Sequence, residues 1–203
     1  MMTGDLKQAE TAAIPLKEVS EKSGLSYANT WSDYTQACCS FHACDLDKAI
    51  HHFSAAEKQK YIMQNLQALC CLAGLAFSYQ MKGRTEKADE TMEQLTAFAH
   101  ETGEAIRHTI AQTSRIRLLL LQGNLEAGAE SIGSLDEPLN PSSFFVWLEL
   151  PHVTHCRRLI ARGSNGSLKE AAKRLDALRE AAGAIHNTFH LIDILVLKAL
   201  AFY

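Results

Sequence analysis

The chain has 203 residues, 47% of them hydrophobic and 21% charged, with 20 Lys+Arg against 23 Asp+Glu and a formal charge of -3. This is enough apolar material for a continuous core, and it excludes a disordered or low-complexity chain. The charge leaves no basic footprint for direct nucleic-acid contact, no basic run precedes an apolar stretch as in a secretory leader, and the apolar runs are too short or too interrupted to span a bilayer.

Four ten-residue stretches share one pattern: "GDLKQAETAA" at Gly4, "CDLDKAIHHF" at Cys44, "GRTEKADETM" at Gly83 and "GNLEAGAESI" at Gly123. Their starts lie 40, 39 and 40 residues apart, and a looser fifth copy begins at Gly163. A period in this range signals stacked repeats. Five places after each start comes a small residue, Ala9, Ala49, Ala88 or Gly128. Apolar residues follow at two further offsets: Ala13, Phe53, Met92 and Ile132, then Leu16, Ala56, Leu95 and Leu135. Spacings of four and three mark one face of a helix, here called helix B.

In chain order, the first B helix starts after Gly4, and Pro15 inside it should kink or end it. "WSDYTQACCSFHAC" then fills a second helical slot, helix A, ahead of the Cys44 turn. Cysteine in place of glycine there implies a turn that does not demand a positive φ. "ALCCLAGLAFSYQMKG" is the next helix A, apolar on most faces, followed by the Gly83 turn and its B helix. "IAQTSRIRLLLLQG" leads to the Gly123 turn. Asp5, Asp45 and Asn124, each just after its turn residue, can cap the helix that follows. "SLDEPLNPSS", with Pro138 and Pro141, reads as a loop. Pro151 either begins a helix or bends a longer one starting near Ser142. "LPHVTHCRRLIARG" fills the fourth A slot, and the fifth turn, at 163–168, takes three extra residues, "GSNGSLKEA", as a loop. Ala171, Leu175 and Leu178 restore the B-helix pattern beyond it.

The expected fold is therefore all-α: helix-turn-helix pairs stacked as a TPR-like right-handed superhelix, with stability shared between neighbours. Residues 1–203 form one such domain. Gly4 opens a B helix with no A helix ahead of it, and Tyr203 stops an A helix before its turn. Neither end carries a polar capping unit, so the expectation is a piece of a longer array.

The turn-plus-B-helix signature resembles the tetratricopeptide repeat, whose second helix carries an Ala-x3-Phe element matched here by Ala49 and Phe53. The long period, the FxWLE-P opening at Phe145, the R-x-L-I-A-x-G turn at Gly163 and the "LIDILVLKALA" helix resemble the late repeats of MalT-like, LuxR-type ATP-dependent transcription regulators. That resemblance implies a cytoplasmic sensor and self-association region to which a small-molecule inducer or a regulatory protein binds. It also implies an NTPase module and a DNA-binding module elsewhere. Neither is written in this sequence: there is no GxxxxGK[ST] phosphate cradle, and no helix-turn-helix can be defended. The alternative reading is a peptide- or protein-binding adaptor of another signalling protein.

Residues of helix A near the turn are the candidates for a ligand or partner groove. Counting back six from each turn gives Cys38, Phe77, Arg117 and Arg157; Tyr34 lies ten back, and Gln80 three. Tyr34, Phe77, Gln80, Arg117 and Arg157 are the candidate set, aromatic at one side and basic further along. Arginine forks there suit carboxylates or phosphates, and Arg117→Ala and Arg157→Ala should leave the fold intact while weakening an anion. The competing reading puts the same residues in an inter-repeat core or on a solvated surface.

Other constellations are poorer. His186 and His190, four apart, would share a face on a helix, and His152, His155 and Cys156 cluster, but neither group finds further ligands in the sequence. Adjacent His155 and Cys156 would point about 100° apart on a helix, a poor catalytic pair. No acid, base and nucleophile fall together, so the expectation is a non-enzyme without metal or cofactor. The six cysteines form no CxxC pair, which fits buried packing in a reducing cytosol. Charged B-helix stretches such as "KRLDALRE" read as solvated outer faces.

Overall fold

A computed structural model describes residues 6–24, 26–102, 104–129 and 148–202. The described residues form α-helices and one short 3-10 turn, with no strand among them. None of these helices is long and apolar enough to cross a membrane. The chain divides into two compact units, and the boundary falls between Ala111 and Gln112.

The first unit holds α1 (Leu6–Ser23), α2 (Ser26–His42), α3 (Leu46–Glu57), a 3-10 turn (Lys60–Ile62), α4 (Asn65–Met81), α5 (Thr85–Thr102) and the start of α6 (Ala105–Leu121). Each of α1 to α4 packs on the next, and α2 also touches α4. The B-helix register places Ala49, Phe53 and Ala56 of α3, and Ala88, Met92 and Leu95 of α5, in the core, each no more than 2% exposed. α4 is buried without a break from Gln67 to Ser78. Its run of small and apolar residues follows from being covered by α2, α3 and α5 together.

The second unit holds the rest of α6, then α7 (Leu125–Ala129), α8 (Pro151–Arg162), α9 (Asn165–Ala184) and α10 (Thr188–Phe202). Its core joins Leu150, Val153 and Cys156 to Leu175, Leu178 and Ala182 of α9 and Ile194, Leu197 and Ala201 of α10. The requirement for a small residue five places after the turn is physical. A Cβ on Gly128 would stand 2.7 Å from Cδ2 of Leu120, so any larger residue there would have to push the Leu120 side chain aside.

The turns share one backbone solution. Gly83, Gly123 and Gly163 have φ of 72°, 77° and 64°. Gly83 donates its N–H to the Gln80 carbonyl, and Arg84 donates to that of Tyr79, closing the last carbonyls of α4. Cys44 does the same, against expectation: its φ is 59°, its N–H reaches Phe41 O, and Asp45 N–H reaches Ser40 O. The turn needs the left-handed conformation whatever residue occupies it, and the two hydrogen bonds hold a β-carbon there despite its strain. Asp45, whose carboxylate accepts from Lys48 N–H, and Asn124, whose side-chain oxygen accepts from Ala127 N–H, cap the following helices.

Two further expectations are revised, and the choice left open at Pro151 falls to its first alternative. α1 runs through Pro15 to Ser23 rather than ending there. Pro151 begins α8, its missing N–H falling where a helix has no partner for it. The three extra residues after Gly163 form no loop: Ser164 caps α9 through Ser167 N–H, the helix starts at Asn165, and the added residues lengthen it to 20. The first turn at Gly4 and the "SLDEPLNPSS" loop lie outside the described residues.

Candidate functional site

The sequence-predicted groove residues separate into two kinds. Tyr34 and Phe77 are 1% and 0% exposed, so they belong to the interior of the first unit and line no open groove. Tyr34 stacks edge-on against Trp31 and Phe53, with ring centroids 6.3 and 6.4 Å apart. Its hydroxyl meets the Cys38 thiol, and burial together with the neighbouring Cys38 and Cys70 pushes its pKa well up. Phe77 is covered because α4 is covered on every side. Gln80 is half-buried at the C-terminal end of α4, where its carbonyl serves the turn.

Arg117 and Arg157 belong to the second unit, and there a site does assemble. Arg117, on α6, donates through Nη1 to the Leu148 carbonyl at 3.0 Å and to Glu149 Oε2 at 3.2 Å. Arg157, on α8, donates through Nη1 to Thr154 Oγ1 at 3.2 Å and through Nη2 to Asp193 Oδ2 of α10. Two guanidinium groups and two carboxylates thus link α6, the lead into α8, α8 itself and α10.

The four charges are not equivalent. The Glu149 side chain is 0% exposed, and its second oxygen, Oε1, has no hydrogen-bond partner among the described residues. The Asp193 side chain is 37% exposed. Burial would raise the Asp193 pKa, but the attraction of Arg157 and Arg117 outweighs it and holds the carboxyl below its ordinary range. Burial lowers the Arg117 pKa, as does repulsion from Arg157, while Glu149 and Asp193 oppose both. The arginines tolerate each other because a carboxylate accompanies each.

Glu149, Asp193 and Thr154 were not among the predicted site residues. Two of them leave a mark in the sequence: Glu149 interrupts the apolar run "FFVWLEL", and Asp193 interrupts "LIDILVL". A charge inside such a run needs a partner, and Arg117 and Arg157 are the cations that the repeat register offers. The structure also revises the predicted effect of Arg117→Ala. That change would strand a buried carboxylate, so it threatens the fold as well as any anion site.

The other constellations carry less. His186 lies in the turn before α10 with φ 54°, so it and His190 do not share a helical face. His190 is buried, its N–H bonded to Asn187 Oδ1. Burial pushes the Cys156 thiol up to about 12. Burial, reinforced by Arg158 and Arg174, pulls His155 down to about 4. A thiol that rarely ionises beside an imidazole that rarely protonates makes a poor nucleophile–acid pair. Among the described residues no group of three or more His, Cys, Asp or Glu is placed to hold a metal ion.

The repeat architecture and the late-repeat features meet in one comparison: the MalT-like TPR region family matches residues 1–203, the full length of the chain. The chain belongs to the MalT-like TPR region family. No curated protein and no solved structure matches it. The MalT-like assignment accounts for the paired helices and the near-40-residue period. The Arg117–Glu149 and Arg157–Asp193 network needs an account of its own.

Proposed function

We propose that this MalT-like TPR region is the sensing and self-association part of a LuxR-type transcription regulator, a cytoplasmic protein whose NTPase and DNA-binding modules lie outside residues 1–203. In this reading the region is not an enzyme and uses no cofactor. A small-molecule inducer or a regulatory protein binds it, and the bound form favours one arrangement of successive A helices over another.

The observation that carries the proposal is the ionic network across α6, α8 and α10. It joins three successive A-type helices through polar groups with specific partners. Apolar packing tolerates small slips between helices, whereas a directional guanidinium–carboxylate hydrogen bond tolerates few. A ligand that alters one pair alters the spacing of the helices it joins.

The test belongs in the intact reading frame, with a promoter reporter as readout. Arg157→Gln should blunt or fix the response to the natural signal while the protein stays folded and abundant. Regulated transcription indistinguishable from the parent's would count against a sensing role for the network. An open reading frame with no phosphate-binding loop and no DNA-binding helix pair would count against the regulator as a whole.

A further inference from the structure

Two histidines meet where α5 gives way to α6. His100 stands in the last turn of α5, and His108 is the fourth residue of α6. Both belong to the first compact unit. Their ring centroids are 4.6 Å apart and the rings are tilted by 60°, so they do not lie flat on one another. His100 is exposed and His108 half-buried. Neither makes a hydrogen bond or ion pair with a described residue. A histidine held for structure ordinarily donates or accepts through at least one ring nitrogen, as His52 does with Asp33 and His155 with Arg158. Here two imidazoles come together without that.

The spacing has a meaning in coordination chemistry. A metal–nitrogen bond of about 2.1 Å places the ion about 3.2 Å from the centre of each imidazole ring. Two imidazoles at a right angle on one ion then have centres about 4.5 Å apart, and two at the tetrahedral angle about 5.2 Å. The 4.6 Å observed between His100 and His108 matches the right angle. Right-angled neighbours belong to octahedral and tetragonal ions, and nitrogen donors in that geometry suit Ni(II). Among the described residues no third His, Cys, Asp or Glu joins the pair. Glu104, four residues before His108, is held by Arg107, whose Nη2 donates to Oε1 at 2.6 Å. Water would complete the coordination.

We propose that His100 and His108 form a two-imidazole site for a divalent transition ion of octahedral preference, with Ni(II) as the probe. The ion is an exchangeable ligand, and no covalent or redox step is involved. α5 packs mainly on α4, so an ion shared by the two histidines would tie it directly to the start of α6. The proposal stands apart from the sensing reading above and from the arginine–carboxylate network.

Calorimetric titration of the 203-residue chain without an affinity tag tests it, at about pH 7.5, where free imidazole is neutral. Ni(II) should bind at one strong site and Mg(II), which prefers oxygen ligands, should not bind there. The chain has nine histidines, so variants assign the site. His100→Gln and His108→Gln should each weaken Ni(II) binding at least about tenfold, because either change turns a two-point clamp into a single contact. The double variant should lose little more than either single one. His51→Gln should leave the affinity unchanged. Saturating Ni(II) should raise the melting temperature of the parent and of His51→Gln and leave that of His100→Gln where it was. Circular dichroism checks that each variant is folded, and His100→Gln, at the exposed position, carries the test alone if His108→Gln unfolds. No saturable Ni(II) binding, equal affinity in the parent and His100→Gln, or tighter binding of tetrahedral Zn(II) than of Ni(II) through the same pair would overturn the proposal.

Discussion

Gln67 sits in the first turn of α4 with 0% exposure, and neither its amide nitrogen nor its oxygen finds a partner among the described residues. An unpaired buried amide costs about 1–3 kcal/mol, so Gln67→Leu, of similar size, should raise the urea midpoint by the equivalent of roughly 1 kcal/mol or more. A lower midpoint would mean that an ordered water satisfies the amide. Cys44 presents the complementary case at the backbone. Its φ of 59° strains a residue with a β-carbon, and Cys44→Gly should stabilise the turn by about 0.5–1 kcal/mol once the extra freedom of unfolded glycine is deducted. Cys44→Val should destabilise it, and paired chemical denaturation curves read both changes. His155 adds a dependence on pH. Its folded pKa of about 4 lies below its ordinary value near 6.5, so the unfolded chain binds more protons between those limits. The His155 contribution to stability therefore rises with pH across that window and is flat above it. His155→Gln should remove that part of the slope in melting temperatures measured from pH 4 to 7.

At the scale of helices, close approach of A to B sets the sequence rules. Ala88 is 0% exposed and stands where Gly128 stands in the next copy. Ala88→Leu should overpack the α4–α5 contact and cost about 1–3 kcal/mol by thermal or urea unfolding. The same spacing made the fold legible beforehand. Ala49, Phe53 and Ala56 announced their face of α3 by offsets alone, and Ala171, Leu175 and Leu178 did so for α9. The groove was less legible, because six residues before the turn says which direction a side chain takes but not whether another helix covers it. Phe77 is covered completely and Arg157 only in part, although they share that offset. The network was half legible: the arginines were visible, and their carboxylate partners lie 32 and 36 residues further along the chain. The Cys44 turn was misread because residue preference was weighed without the two hydrogen bonds that impose the conformation.

Across the whole chain, helices differ in how many sides are covered, and their stability should differ accordingly. α4 is buried all round, while α10 exposes Ile192, Leu195, Val196 and Leu200 on one side. Hydrogen exchange followed by mass spectrometry should find α4 among the slowest segments and α10 clearly faster; uniform exchange would indicate a single cooperative unit instead. The helix that absorbs three added residues, α9, has a different consequence. At 1.5 Å per residue those residues push its capped end outward by about 4.5 Å, while Ala171, Leu175 and Leu178 keep their seats. The extension behaves like a telescoping post: its height at one rim of the protein can change without disturbing the joints below. Additions of nearly one helical turn at this rim are therefore a route by which such arrays can reshape one edge and keep the rest of their stacking unaltered.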